Sequence, residues 1–142
     1  MDNNTIFELI RTTELLNDES MLKFTKSFEY NVGISQILVL DELAQKGAQM
    51  QSVLAKELDY TPGAMTNIAN KLINEGYAER KYSDSDRRKV LLSITDKGLD
   101  VLKKAEQRGQ EMRKEMYSVL TDEEVEQLLA INKKLLAYLR KE

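Results

Sequence analysis

The polar run Asp84-Ser85-Asp86-Arg87-Arg88-Lys89 stands between two short stretches of strand-forming residues. Adjacent cations beside carboxylates suit the binding of a polyanion. Arg88 is the first choice for a narrow, A·T-rich DNA minor groove, which concentrates negative potential and accepts a guanidinium. Asp86, two residues earlier, can grip that guanidinium through a two-point hydrogen bond and so order an otherwise loose tip. Arg87 and Lys89 are then available to phosphates. A solvated charged turn has the same composition, so the choice depends on what precedes the run.

A helix candidate with an exposed polar face comes directly before it. Thr61 is a good N-cap, and Pro62 takes the first helical position, where its missing N–H costs nothing. Met65, Ile68, Ala69 and Leu72 recur at the spacing of one buried helical face, and Gly76 ends the segment. Ala64, Thr66, Asn67, Asn70 and Lys71 lie off that face, with Gly63 at the start. The helix N-terminus that Pro62-Gly63 opens offers free backbone N–H groups to a phosphate. Thr66, Asn67 and Lys71 suit bases or the nearby backbone, and Asn67 has the groups to pair with adenine N6 and N7. An ordinary solvated helix face would be similarly polar.

Composition removes most other chemistries. The chain has 142 residues, enough for one domain with a real core, and a net charge of −3. It has no cysteine and no histidine. Disulfides, thiolate chemistry and the commonest metal ligand are thereby excluded, and no metal or cofactor is expected. Catalytic residues are expected to be absent: no nucleophile–base pair or glycine-rich phosphate loop occurs, and Asp84 and Asp86 belong to an exposed tip, not a cleft. The N-terminus is polar and acidic, unlike a signal peptide, and no apolar run is long enough to span a bilayer. These features predict a cytoplasmic protein without membrane contact. A weakly acidic whole with a basic tip suits a site-specific binder better than a general coat for nucleic acid.

The elements that must position these groups follow from periodicity, and the single proline, Pro62, permits a mostly helical chain. A first helix is predicted over residues 5–29, with Ile6, Leu9, Ile10, Leu16, Met21, Phe24 and Phe28 as its apolar stripe. A second opens at Gly33 or Ser35, turns Ile37, Leu40 and Leu43 inward and stops at Lys46-Gly47. A short third helix covers Ser52–Leu58. Asp59-Tyr60 makes the turn into the Thr61-capped helix, with Asp59 tolerating positive φ. Strands follow at Ala78–Ser83 and Val90–Ile94, with Val90, Leu92 and Ile94 expected to face the core. Thr95 caps a long helix reaching about Val119. Thr121 to Glu124 is a capping box that opens a last helix with Val125, Leu128, Leu129, Leu135, Leu136 and Leu139 on one stripe. Unpaired stripes at both ends predict a homodimer.

This order resembles the MarR family of winged helix-turn-helix transcription regulators. Asp86-Arg87-Arg88 followed by Val90-Leu91-Leu92-Ser93-Ile94-Thr95-Asp96-Lys97-Gly98 is similar to the family's wing tip and strand-to-helix junction. Leu54-Ala55 with Leu58, and Leu72-Ile73-Asn74-Glu75-Gly76-Tyr77, are similar to the two ends of its helix-turn-helix. Asn67 stands where the family often has arginine, which departs from guanine reading there. The resemblance implies a mainly α (α+β) fold: a winged helix-turn-helix lobe over residues 32–96, within a single domain of residues 1–142. Residues 1–31 and 97–142 would form a helical dimerisation platform. It also implies a repressor that binds a pseudo-palindromic double-stranded operator as a homodimer, with half-sites roughly 34–36 Å apart.

Family members commonly release DNA on meeting a small apolar anion or an oxidant. Without cysteine or histidine, a small-molecule effector or none remains here. Met21, Phe24, Phe28 and Tyr30 are candidates to line its pocket, or are simply core. The alternative function is a winged-helix module used only for protein contacts, against which Arg87 and Arg88 speak.

Overall fold

A computed structural model describes residues 2–141. The order is α1 (Asn3–Ser27), α2 (Ile34–Lys46), α3 (Gln51–Glu57), α4 (Pro62–Asn74), β1 (Ala78–Tyr82), β2 (Val90–Ile94), α5 (Asp96–Tyr117) and α6 (Asp122–Leu139). The chain divides into two compact units, with the boundary between Arg108 and Gly109.

The core of the first unit is built from short-range helix signals that agree with one another. Val39, Leu40 and Leu43 of α2, Leu54 and Ala55 of α3, and Met65, Ala69 and Leu72 of α4 are buried together with Tyr77, Ala78, Leu92, Val101 and Leu102. Each fully buried leucine contributes about 1.5–3 kcal/mol. α2 turns Val39 rather than Ile37 fully inward, and Ile37 is only partly covered. The apolar run of residues 37–40 fits more than one helical phase, and packing selects among them.

Asp59 makes the corner between α3 and α4. It takes φ 57°, the only positive φ on a non-glycine residue among those described. The Tyr60 N–H reaches back to the Ala55 carbonyl at 2.8 Å, closing α3. Thr61 then accepts the Ala64 N–H on its hydroxyl at 3.1 Å and starts α4. At the other end Gly76, at φ 79°, lets the chain turn so that the Tyr77 N–H bonds the Leu72 carbonyl at 2.8 Å.

β1 and β2 pair antiparallel, with Ala78 opposite Ile94, Arg80 opposite Leu92 and Tyr82 opposite Val90. Leu92 also exchanges two backbone hydrogen bonds with Gln49, at 2.7 and 3.0 Å, so β2 is held from both sides. Leu92 is buried as expected and Ile94 is partly covered, but Val90 is 44% exposed. Strand alternation gives a residue's face, not its depth. Val90 lies where the hairpin has already run past the core.

Thr95 caps α5 by accepting the Gly98 N–H at 3.1 Å, and donates its hydroxyl to the Gly76 carbonyl at 2.6 Å. Beyond Gly109, the Thr121–Glu124 capping box forms as the sequence predicts. α1 and α6 have no buried residue. Ile6, Leu9, Ile10 and Leu16 of α1, and Leu129, Leu135, Leu136 and Leu139 of α6, remain exposed.

Candidate nucleic-acid interface

The wing tip is residues 83–89, and hydrogen bonds order it without a glycine. The Ser83 N–H bonds the Lys89 carbonyl at 3.0 Å, and the Lys89 N–H bonds the Asp86 carbonyl at 3.0 Å. The Asp86 carboxylate accepts three bonds from Arg88: from its backbone N–H at 3.0 Å, from Nε at 3.1 Å and from Nη2 at 3.2 Å. The fork anticipated from the i, i+2 spacing is therefore formed. Arg88 stays 91% exposed while Asp86 is 26% exposed, so the carboxylate forms the seat and the cation is presented outward. The guanidinium, and then the Arg88 backbone N–H, hold the Asp86 carboxyl below the usual aspartate range. Arg87 turns the other way, 5.9 Å from the centre of the Tyr82 ring. Lys89 is exposed.

On α4, Met65, Ala69 and Leu72 are buried, and Ile68 packs against the core. Helical geometry puts Gly63, Thr66, Asn67 and Asn70 on the opposite arc, with Lys71 at its edge, and all five are exposed. Thr66 donates its hydroxyl to the Pro62 carbonyl at 2.9 Å, leaving a methyl group and oxygen lone pairs outward. A Cβ on Gly63 would meet nothing within 4 Å, and this glycine has no left-handed backbone. Neither packing nor conformation within the chain explains glycine at this position. It leaves room for close approach from outside, beside a first-turn N–H that has no partner within its helix.

Arg80 and Gln51 escaped the sequence reading. Arg80 of β1 donates from Nε and Nη2 to Gln51 Oε1 at 3.2 and 2.9 Å, and from Nη2 to Asn70 Oδ1 at 3.0 Å. One strand residue is thus tied to both helices of the helix-turn-helix. The available signal was period two: Arg80 shares a strand face with buried Ala78 and stands opposite buried Leu92, an unusual place for a cation without partners. Arg80, Gln51, Arg88 and Lys89 border one cleft of about 460 Å³, floored by Leu91 and Leu92.

The proposed effector residues form a separate group. Phe24 and Phe28 stack at 5.1 Å between ring centres, and Phe28 meets Tyr30 at 5.2 Å. Phe28 and Tyr30 also pack against the main core, and Met21 is 49% exposed. Lys104 Nζ stands 4.9 Å over the Tyr30 ring and 2.9 Å from Asp100 Oδ2. Its hydrogen bond with Tyr30, followed by that with Asp100, raises its pKa and keeps it charged. Among the described residues no cluster of metal-ligating side chains occurs, and no helix is long and apolar enough to cross a membrane.

A capped helix placed after a tight turn and followed by a basic-tipped hairpin defines a winged helix-turn-helix protein. The chain belongs to the MarR family. The MarR family model matches residues 33–90, which span α2 to the start of β2. The multiple antibiotic resistance protein MarR of Salmonella typhimurium is 31% identical over 107 residues, covering 75% of this chain and 74% of that protein. The HTH-type transcriptional regulator PrsX of Escherichia coli is 28% identical over 130 residues, or 92% of this chain and 78% of that protein. The crystal structure of a mutant MarR from E. coli complexed with operator DNA superimposes with a TM-score of 0.71 at 27% identity, covering 94% of this chain and 96% of that chain.

Proposed function

We propose that this protein is a sequence-specific regulator that binds double-stranded DNA as a homodimer, acting as a repressor at a pseudo-palindromic operator. The observation that carries this reading is the Asp86–Arg88 fork, which presents a pre-ordered cation at the tip of a hairpin beside the polar face of α4. α4 would enter the major groove, with Gly63, Thr66, Asn67, Asn70 and Lys71 toward bases and backbone. The wing would reach the adjacent minor groove through Arg88, with Arg87 and Lys89 at phosphates. The E. coli MarR complex with operator DNA, which has the same fold, supports this arrangement.

Residues 32–96 would be the DNA-binding lobe, and residues 1–31 and 97–142 the dimerisation region. The apolar side chains left exposed on α1 and α6 support the second assignment, since patches of this kind mark interaction surfaces. Two-fold symmetry then sets the half-sites about one helical turn apart, roughly 34–36 Å. With no cysteine or histidine to sense oxidants or zinc, release would fall to a small apolar anion near Phe24, Phe28 and Tyr30. Such a ligand must bind the DNA-competent and released states unequally.

A gel shift with the DNA upstream of the protein's own gene, run beside sedimentation, tests the proposal. Retardation by a dimer at low nanomolar to micromolar protein, resisting non-specific competitor, is expected. A monomer, or indifference to every duplex, refutes it.

A further inference from the structure

We infer that Arg80 is a positioning residue that locks the Asn70 amide with its Nδ2 group outward, so that Asn70 selects keto bases, guanine or thymine, over amino bases in the major groove. The inference rests on the DNA-binding reading above. A guanidinium has only donors, so the amide oxygen of any asparagine bonded to it must face it. At 3.0 Å from Nη2, Asn70 Oδ1 is committed to Arg80. Gln51 Oε1, bonded twice to the same guanidinium, fixes the plane of the fork from the other side.

The consequence is chemical. A free asparagine pairs with adenine by donating to N7 and accepting from N6, which needs oxygen and nitrogen on the same side. Held by Arg80, Asn70 offers the duplex only its two N–H bonds. Guanine accepts them at O6 and N7 and thymine at O4; adenine accepts at N7 alone, and its N6, like cytosine N4, presents hydrogens in return, so the keto bases are favoured. Asn67 has no such restraint, so the two asparagines of one helix read by different rules.

The test is binding to a pool of duplexes carrying two randomised half-sites, read by sequencing, for the wild type and for R80M, N70A and N70D. One base pair per half-site is expected to favour a keto base by roughly tenfold, the size of an ordinary single-pair preference. N70A should flatten that pair; R80M, which frees the Asn70 amide to turn, should lose the keto preference there or shift it toward adenine; and both should leave the other pairs unchanged. N70D keeps the bond to Arg80 as an ion pair but shows the duplex only acceptors, so its preference at that pair should invert toward adenine or cytosine. Thermal melting and sedimentation report whether each variant is folded. If R80M is not, N70D decides alone, because its anchor is intact. No pair shared by N70A and R80M, or a keto preference retained in N70D, overturns the inference. So does a loss in R80M that is uniform over all sequences with a shallower salt slope, which would make Arg80 a phosphate contact. A wild type that selects no sequence overturns the DNA-binding reading itself.

Discussion

Lys97 Nζ donates to the Glu75 carbonyl at 2.7 Å, so the first turn of α5 supplies the cation that closes the C-terminal end of α4. The same ammonium lies 5.2 Å from the centre of the Tyr77 ring. A positive charge at the carbonyl end of a helix interacts favourably with its dipole and satisfies an orphan acceptor. Replacing Lys97 with methionine should lower stability by about 1 kcal/mol, read as a shift in urea midpoint at unchanged slope. An unchanged midpoint would mean that water serves the carbonyl equally well.

Gly98, the residue after Lys97, has to be small. A Cβ there would collide with the Tyr77 carbonyl oxygen and press on the Ile94 side chain. The Tyr77 oxygen cannot retreat freely, because it accepts the Thr95 N–H at 3.1 Å. Gly98→Ala is therefore expected to cost about 1–3 kcal/mol through overpacking, outweighing alanine's better helix propensity. Chemical denaturation measures it, and a more stable variant would contradict the packing described.

Gly63 should separate stability from binding. Alanine in open space inside the first turn of α4 should be neutral or stabilising by up to about 1 kcal/mol. Operator affinity should fall if, as proposed, the added methyl stands where the backbone meets a phosphate. Thermal melting and fluorescence anisotropy on the same preparation check both halves. Unimpaired binding removes Gly63 from the interface.

Arg88→Ala should weaken binding to every duplex and make log affinity less steep in log salt by about one unit, as expected for the loss of one cation at the DNA surface. Unchanged operator affinity would refute its role. The pH dependence of the wing follows from Asp86, whose folded pKa lies below its ordinary 3.8. The fork is complete above the ordinary aspartate range and is lost only as pH falls through the depressed value. Carboxyl NMR titration of Asp86 should give a midpoint below 3.8 in the wild type and a return toward it in Arg88→Ala.

The apolar stripe of α6 should hold two chains together. Leu136 is 44% exposed and Leu129 54%, so a charge at either is tolerated by the protomer. Leu136→Glu is expected to shift sedimentation toward monomer and to abolish operator binding at concentrations where each chain remains helical. A variant that stays dimeric would place the interface elsewhere.

Much of this molecule was legible because its signals are local. Asp59, Thr61, Pro62 and Gly76 mark the corner, start and end of α4 by backbone chemistry alone, and the Asp86–Arg88 fork needs only two residues of separation. What escaped depends on distance in three dimensions. The depth of Val39 is set by what packs on α2, and that of Val90 by where the core stops beneath the hairpin. Arg80 was invisible as a hub because its partners, Gln51 and Asn70, lie 29 and 10 residues away.

The double ladder on Leu92 limits how this lobe can adapt. With Gln49 on one flank and β1 on the other, the root of the hairpin is sewn to the segment that leads into α3. Residues 83–89 lie beyond those stitches and are held by their own hydrogen bonds. A change of operator groove dimensions that moved this hairpin would therefore have to carry the approach to α3 with it.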